Sequence, residues 1–440
     1  MSKKNCTAGF ARLDITPPLG VHLGGYYVER ISDGVLDPLF VNAVAFGQDD
    51  RRAVLLVCDM LSIYGNAAHE WPVEIAKKLG LPREAVFTCH THSHTTPVVD
   101  GTREPSDPMY DAWLLRRMCD AAQMALDDLK PVEDVLWAEG QTEKLTWVRR
   151  FAYKDGHFQT WAKTGDPEIV GPACQGDESV RLVRIVRQDA PEIALVNFQL
   201  HPDNTGGCKY SADFPGVLRK CVEEEKPGVH CVFLNGAEGQ MVAYDYMHGT
   251  IPEKVPGVPD KAIMLGKQLA GFTLPLWDKC VSTGQTGLTC GQSFVSAKTK
   301  RDPARMEEAE RLIALHEAGK DAEIGPGWIA TPLVAEAYTL RRLEAEQLDY
   351  VDMAISAIAF CGLALIGIPG EPFCEIGVAV RKNSPFAVTC MCCHTNGNGG
   401  YYATAEAYDQ GGYEPRNSRF VKGVGELFTD EASKLLARLK

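Results

Sequence analysis

The chain has 440 residues, 45% of them hydrophobic, enough to bury one large core or two ordinary ones without a disulfide scaffold. Its formal net charge of -13, with no basic cluster, argues against a nucleic-acid partner, because phosphate binding needs a cationic surface. The fifteen cysteines are odd in number and sit mostly in apolar runs such as Val57-Cys58 and Phe360-Cys361, which fits reduced, buried thiols. No stretch approaches the roughly 18 uninterrupted apolar residues of a spanning helix, and the polar start at Met1–Asn5 does not read as a signal peptide. A soluble, cytoplasmic protein without stable membrane association is expected.

Residues 6–14 alternate and then break at Thr16-Pro17-Pro18-Leu19-Gly20. The following Gly24-Gly25 allows the backbone to approach something bulky. Two strands over 41–46 and 53–57 flank a turn, and the second runs out into Asp59, a carboxylate placed to support a metal-bound histidine or to form a turn. A helix over 67–79 ends at Gly80 and leads to Thr88-Cys89-His90-Thr91-His92-Ser93-His94 at the exit of an apolar strand. If that strand persists, its alternate imidazoles share one face and converge on one point. An isolated histidine is often a hydrogen-bonded core residue. Three in five positions each need a partner, and neutral imidazole is the commonest metal ligand.

A second helix is expected over 108–129, with Met109, Trp113, Leu114, Met118, Ala121, Met124 and Ala125 as its core face. Strands over 135–151 carry Arg149 and Arg150 in an apolar context, where a guanidinium needs an anionic or carbonyl partner. A hairpin over 180–186 and 193–200 ends in His201, and Asp213 caps the next helix. The strand over 229–234 closes in the turn Asn235-Gly236-Ala237-Glu238-Gly239.

A Pro- and Gly-rich loop over 245–260, helices over 261–277 and 302–318 and a polar stretch over 328–347 read as an insertion or cap spanning about 245–347. Two strands over 351–368 hand over to Pro369-Gly370-Glu371-Pro372 and a helix over 374–381, where Glu371 reads as a helix-terminal carboxylate. The run 388–394 holds Cys390, Cys392 and Cys393 without the paired spacing of a thiolate zinc site. The glycine-rich 396–402 then carries Tyr401 and Tyr402. A helix over 426–439 ends the chain. Strands alternating with helices, some paired as hairpins, give an α/β (α+β) class: mixed central β-sheet layers flanked by helices.

These residues resemble the neutral/alkaline ceramidase family in its zinc-dependent catalytic domain. The matching stretches are Asp14-Ile15-Thr16-Pro17 with Gly25-Tyr26, His90-Thr91-His92-Ser93, His201, Ser211–Gly216, Pro369–Pro372 and Tyr401–Glu414. They cover the chain from about residue 8 onward, and their order and spacing carry the likeness. The resemblance implies one Zn2+ per chain held by His90, His201, Glu371 and Tyr401. It also implies His92 handling protons, Tyr413 as a second active-site tyrosine, and Arg149 contacting the reacting carbonyl, although Val148 replaces the usual asparagine before it. A single catalytic domain over 1–440, of short, bacterial type, is expected, without the C-terminal β domain or secretion signal of large ceramidases. The family's active-site serine has no counterpart in the 235–240 turn, and His94 replaces a glycine.

Such a donor set would leave a position for water, lower its pKa towards ~7 and polarise a carbonyl. The function expected is therefore zinc-dependent hydrolysis of an amide, or an ester, in a soluble small molecule other than ceramide, with no oligomeric state implied. The alternatives are a metal-binding protein of the same fold with altered catalysis and a metallohydrolase of another class, such as a lactonase or esterase. A metallo-β-lactamase pattern, HxHxDH, fails at His94 and Thr95. An amidohydrolase barrel would need eight strand-helix units rather than hairpins.

Overall fold

The computed structural model describes residues 5–101 and 105–440. Met1–Lys4, part of the polar start, and residues 102–104 of the loop after Asp100 lie outside the described residues. The architecture is four layers, helices, sheet, sheet and helices, which is the mixed α/β class read from the sequence.

The larger sheet runs in the order 229–235, 192–198, 179–187, 130–141, 6–14, 40–48, 51–58 and 86–90. Its middle strands are antiparallel and its two ends are parallel pairs: Arg51–Cys58 with Val86–His90, and Glu192–Phe198 with Val229–Asn235. The second sheet orders Leu288–Lys298, Tyr350–Phe360, Leu363–Gly367 and Val388–Cys392, again with a parallel pair at one end. Alternating apolar residues of both sheets meet face to face. Phe46 of one and Phe360 of the other are fully buried, with ring centroids 5.0 Å apart. The buried Asn197 amide links the layers by donating to Leu234 O and Met391 O, each at 2.9 Å.

The outer faces take amphipathic helices. Helix Ala67–Leu79 buries Ala68, Trp71, Pro72, Ile75 and Ala76, a 3.6-residue stripe, and stops at Gly80, whose φ of 66° is the left-handed conformation of a helix end. Helix Pro108–Asp127 is capped by Asp107, which accepts from the Met109 and Tyr110 amides, and starts with proline at its first position. Its core face is Tyr110, Leu114, Met118, Ala121, Ala122 and Ala125. Met109, Trp113 and Met124, expected inside, are exposed, because the helix turns Tyr110 inward to donate to Ile15 O. The polar stretch after 327 is one helix, Gly327–Glu346, packed on Met306–Glu317 and on the Tyr413–Asn417 turn. Its burial falls on more than one side, which is why its hydrophobic period is weak.

The three parallel pairs determine where the site lies. Their carboxyl ends release the segments carrying His90 to His94, His201, Glu238, Glu371 and His394, and backbone bonds tie these segments together. Cys393 N donates to Asn235 O, His394 N to Gly370 O, His94 N to Pro202 O, and the Asn235 amide to Thr91 O. Among the described residues no helix is long and apolar enough to cross a membrane.

Candidate metal centre

The histidine strand ends sooner than its sequence suggests. Val86–His90 is extended, but His92 has φ 71°, a left-handed backbone that turns the following residues out of the strand. The alternate-face geometry that would let all three imidazoles converge is therefore lost after His90. His90 stays in the ladder opposite Cys58, fully buried, and neither ring nitrogen meets a hydrogen-bond partner among the described residues. Burial, helped by the neighbouring His394, pushes its pKa down to about 3, so the ring is neutral.

His92, His201, Glu238 and Glu371 form a buried group whose nearest ligand atoms all lie within 4.8 Å of one another, and His94 forms a second such group with His92 and His201. Glu371 Oε2 stands 3.3 Å from His201 Nε2 and 3.7 Å from His92 Nε2. His90 is in neither group.

The outer nitrogens are held. His92 Nδ1 meets Leu61 O at 3.0 Å, and His201 Nδ1 meets the Glu238 carboxylate and, at 3.0 Å, Glu238 O. Both contacts fix the ring so that Nε2 faces the interior of the site. His201 Nε2, Glu371 Oε2 and both nitrogens of His94 are buried without a hydrogen-bond partner among the described residues. His92 Nε2, His201 Nε2 and Glu371 Oε2 converge in this buried place, and a nitrogen and oxygen donor set without thiolate fits a divalent cation such as zinc.

Glu238 is the residue that sequence reasoning overlooked. It sits in the turn read as lacking a family serine, is completely buried, and bridges His201 and, at 3.3 Å, His394 Nε2. His394 in turn stacks on His92, with centroids 3.9 Å apart. Burial alone would lower the pKa of His201, but the Glu238 charge outweighs it and raises the value to about 10. The same ion pair holds the Glu238 carboxyl well below its usual range against the burial penalty. A carboxylate flanked by glycines at a buried strand exit was the available signal. Gly239 matters as well: a Cβ there would lie 2.6 Å from Glu371 O, so only glycine lets this turn meet the Glu371 segment.

Glu371 pairs with Tyr401 in a two-residue parallel ladder, so both side chains enter from neighbouring backbones. The capping role read for Glu371 is not seen: helix Cys374–Lys382 has Phe373 at its N-cap and no side-chain cap. Burial, then Glu371, pushes the Tyr401 phenol up, while Arg149 opposes them, with its Nη2 donating to Tyr401 Oη at 3.2 Å. Arg149 also donates to Glu414 at 2.7 Å and Gly239 O at 3.0 Å. Its Nη1 makes no hydrogen bond among the described residues. The rings of Trp161, Tyr401 and Tyr413 pack around the guanidinium at 5.6 to 5.8 Å. Tyr413 Oη accepts from Asn417 at 3.0 Å.

Asp59 does not support a site histidine. It forms a two-pronged buried pair with Arg219, at 2.7 and 2.6 Å, and accepts from Phe40 N. The capping role read for Asp213 is not seen: helix Asp213–Glu225 has Ala212 at its N-cap without a side-chain cap, and Asp213, its first residue, accepts from the Phe214 amide and anchors the segment after His201 through Asn204 N and Thr205 N.

A cavity of about 900 Å³ opens onto this group. Its lining includes six of the seven residues singled out from the sequence, namely His92, Arg149, His201, Glu371, Tyr401 and Tyr413, together with His94, and His90 is not part of it. Gly25 presses on His94, as the paired glycines suggested.

No family model and no curated protein matches this chain. Solved structures do. The neutral ceramidase from Pseudomonas aeruginosa superposes with a TM-score of 0.71 at 16% identity, over 99% of this chain and 75% of that one. A ceramidase complexed with C2 gives 0.70 at 17% identity, over 99% and 76%. The chain therefore has the fold of the neutral ceramidases.

Proposed function

We propose that this protein is a zinc-dependent hydrolase of amide bonds in a small, water-soluble molecule. The observation that carries the reading is the convergence of His92 Nε2, His201 Nε2 and Glu371 Oε2 at the cavity, with both ring Nδ1 atoms already held. These three, with Tyr401, would hold one Zn2+ per chain. His92 takes the ligand place that the family resemblance assigns to His90, because His90 neither lines the cavity nor belongs to either convergent group. When bound, the ion acidifies a water and polarises the scissile carbonyl.

The protein's own groups account for the rest of the chemistry. His94 lines the cavity with its ring 4.9 Å from that of His92, and burial, which pushes its pKa well down, keeps it a neutral imidazole that can hydrogen-bond the substrate or a water at the cavity wall. Arg149 presents its uncommitted Nη1 to a developing oxyanion while Glu414 and Gly239 O hold its orientation. Tyr413, fixed by Asn417, stands beside Tyr401 with ring centroids 5.7 Å apart. Asp203, Tyr244, Lys254 and Asn398 place polar groups on a cavity wall that apolar and aromatic residues such as Leu61, Trp161 and Val242 share, which suits a small substrate with both polar and apolar parts. The fold shared with neutral ceramidases supports amide chemistry.

The test is hydrolysis of a panel of N-acyl amides, esters and lactones by zinc-loaded protein. Amide cleavage that a chelator abolishes and zinc restores is expected. Fully zinc-loaded protein that cleaves no amide would overturn the reading.

A further inference from the structure

Six cationic side chains line the cavity, and five have carboxylate partners. Arg149 pairs with Glu414 at 2.7 Å and Lys254 with Asp203 at 2.5 Å. Arg342 and Arg419 both pair with Glu346, at 2.7 and 2.8 Å, and Arg341 lies 3.7 and 3.8 Å from Glu310 and Glu317. Lys261 is the exception. It is 8% exposed, lines the cavity, and among the described residues makes neither a hydrogen bond nor an ion pair.

Its surroundings show that the position is built rather than incidental. The ammonium lies 5.5 Å from the centre of the Tyr244 ring, while Tyr244 Oη is turned away towards Glu253 and Thr164. Lys261 stands in the first turn of helix Asp260–Thr273, beside Asp260, and the helix N-cap, Pro259, supplies no side-chain acceptor. Lys254 closes the neighbouring wall, donating to Tyr26 Oη at 2.6 Å as well as to Asp203, and the Tyr26 ring packs 5.7 Å from His94. Burial, then the Lys254 charge, lowers the Lys261 pKa to about 8 against the opposing pull of the Asp203, Asp213 and Glu253 carboxylates, none of which it contacts, and this leaves it mostly charged at neutral pH. A largely enclosed ammonium without a hydrogen-bonded partner loses part of its hydration, and an anion that fills the site restores that interaction.

We infer that Lys261 forms an anion subsite, so that the substrate carries an anionic oxygen group, carboxylate or phosphate, at the end held away from the scissile bond. The inference rests on the hydrolase reading for its catalytic meaning, although binding tests it separately. Lys261 anchors the charged end, and Arg149 and the His92–His201–Glu371 group address the amide in the same cavity.

The experiment uses matched amides that end in a carboxylate, a phosphate or a neutral carboxamide, with wild-type protein and Lys261→Met, and Lys261→Gln as a second variant should the first not fold. The wild type should favour an anionic amide over the neutral one by about 10- to 100-fold in kcat/KM, the worth of a hydrogen bond to a charged group. The variant should lose that preference through KM while its kinetics on the neutral amide stay unchanged. The carboxylate and phosphate arms show which anion fits. Equal cleavage of charged and neutral amides, or a variant that keeps the preference, overturns the inference. If no amide is cleaved, the hydrolase reading fails, and calorimetric binding decides the subsite: carboxylate or phosphate amides bound by the wild type and more weakly by the variant support it, while equal or absent binding overturns it.

Discussion

Replacing Arg219 with Met should cost the protein about 3–5 kcal/mol, because it leaves the Asp59 carboxylate buried and unpaired. Asp59 is completely buried, Arg219 is 3% exposed, and the two meet through a pair of short hydrogen bonds. Asp59→Asn should cost a similar amount by stranding the guanidinium, while the asparagine oxygen can still accept from Phe40 N. The double variant removes both charges, so it should be more stable than either single one, with a coupling of at least about 2 kcal/mol. Urea unfolding of all four proteins at 25 °C measures this cycle. Losses that simply add in the double variant would refute the view of Asp59 and Arg219 as an isolated buried pair. The zinc content of folded Asp59→Asn should equal that of the wild type, and a fall would return Asp59 to the site.

Glu238→Ala leaves His201 Nδ1 without its carboxylate partner and should weaken zinc binding about 10- to 100-fold in a chelator competition; unchanged affinity would remove Glu238 from the centre. Gly25→Ala would place a Cβ 2.6 Å from His94 Nδ1 at φ 100°, whereas at Gly20, with φ 91°, a Cβ meets nothing within 4 Å. Both should lose about 1–2 kcal/mol of stability to backbone strain, but only Gly25→Ala should also lower turnover, and equal activities would mean that His94 takes no part.

Much of the fold was legible because its signals are local. The turn between strands 41–46 and 53–57, the helix end at Gly80 and the hairpin over 180–186 and 193–200 each follow from a few neighbouring residues. Helix Gly327–Glu346 was not, since it buries residues on several sides and contains Pro332, so no clean stripe marks it. The site was legible as a set of strand exits, and six of its seven expected residues share one cavity. Two of its features lay beyond a pattern of residues. The left-handed turn at His92 decides which imidazole enters the cavity, and nothing in the spacing of His90, His92 and His94 encodes it. Glu238 is brought against His201 only by the parallel pairing of strands 192–198 and 229–235, a contact between distant segments.

Metal content most directly tests the claim that His92, His201 and Glu371 form a zinc site. Elemental analysis of wild type, His92→Ala and His90→Ala, each purified with zinc and freed of loose metal, should find about one zinc per chain in the wild type and in His90→Ala, and almost none in His92→Ala. Zinc retained by His92→Ala and lost from His90→Ala would contradict the account.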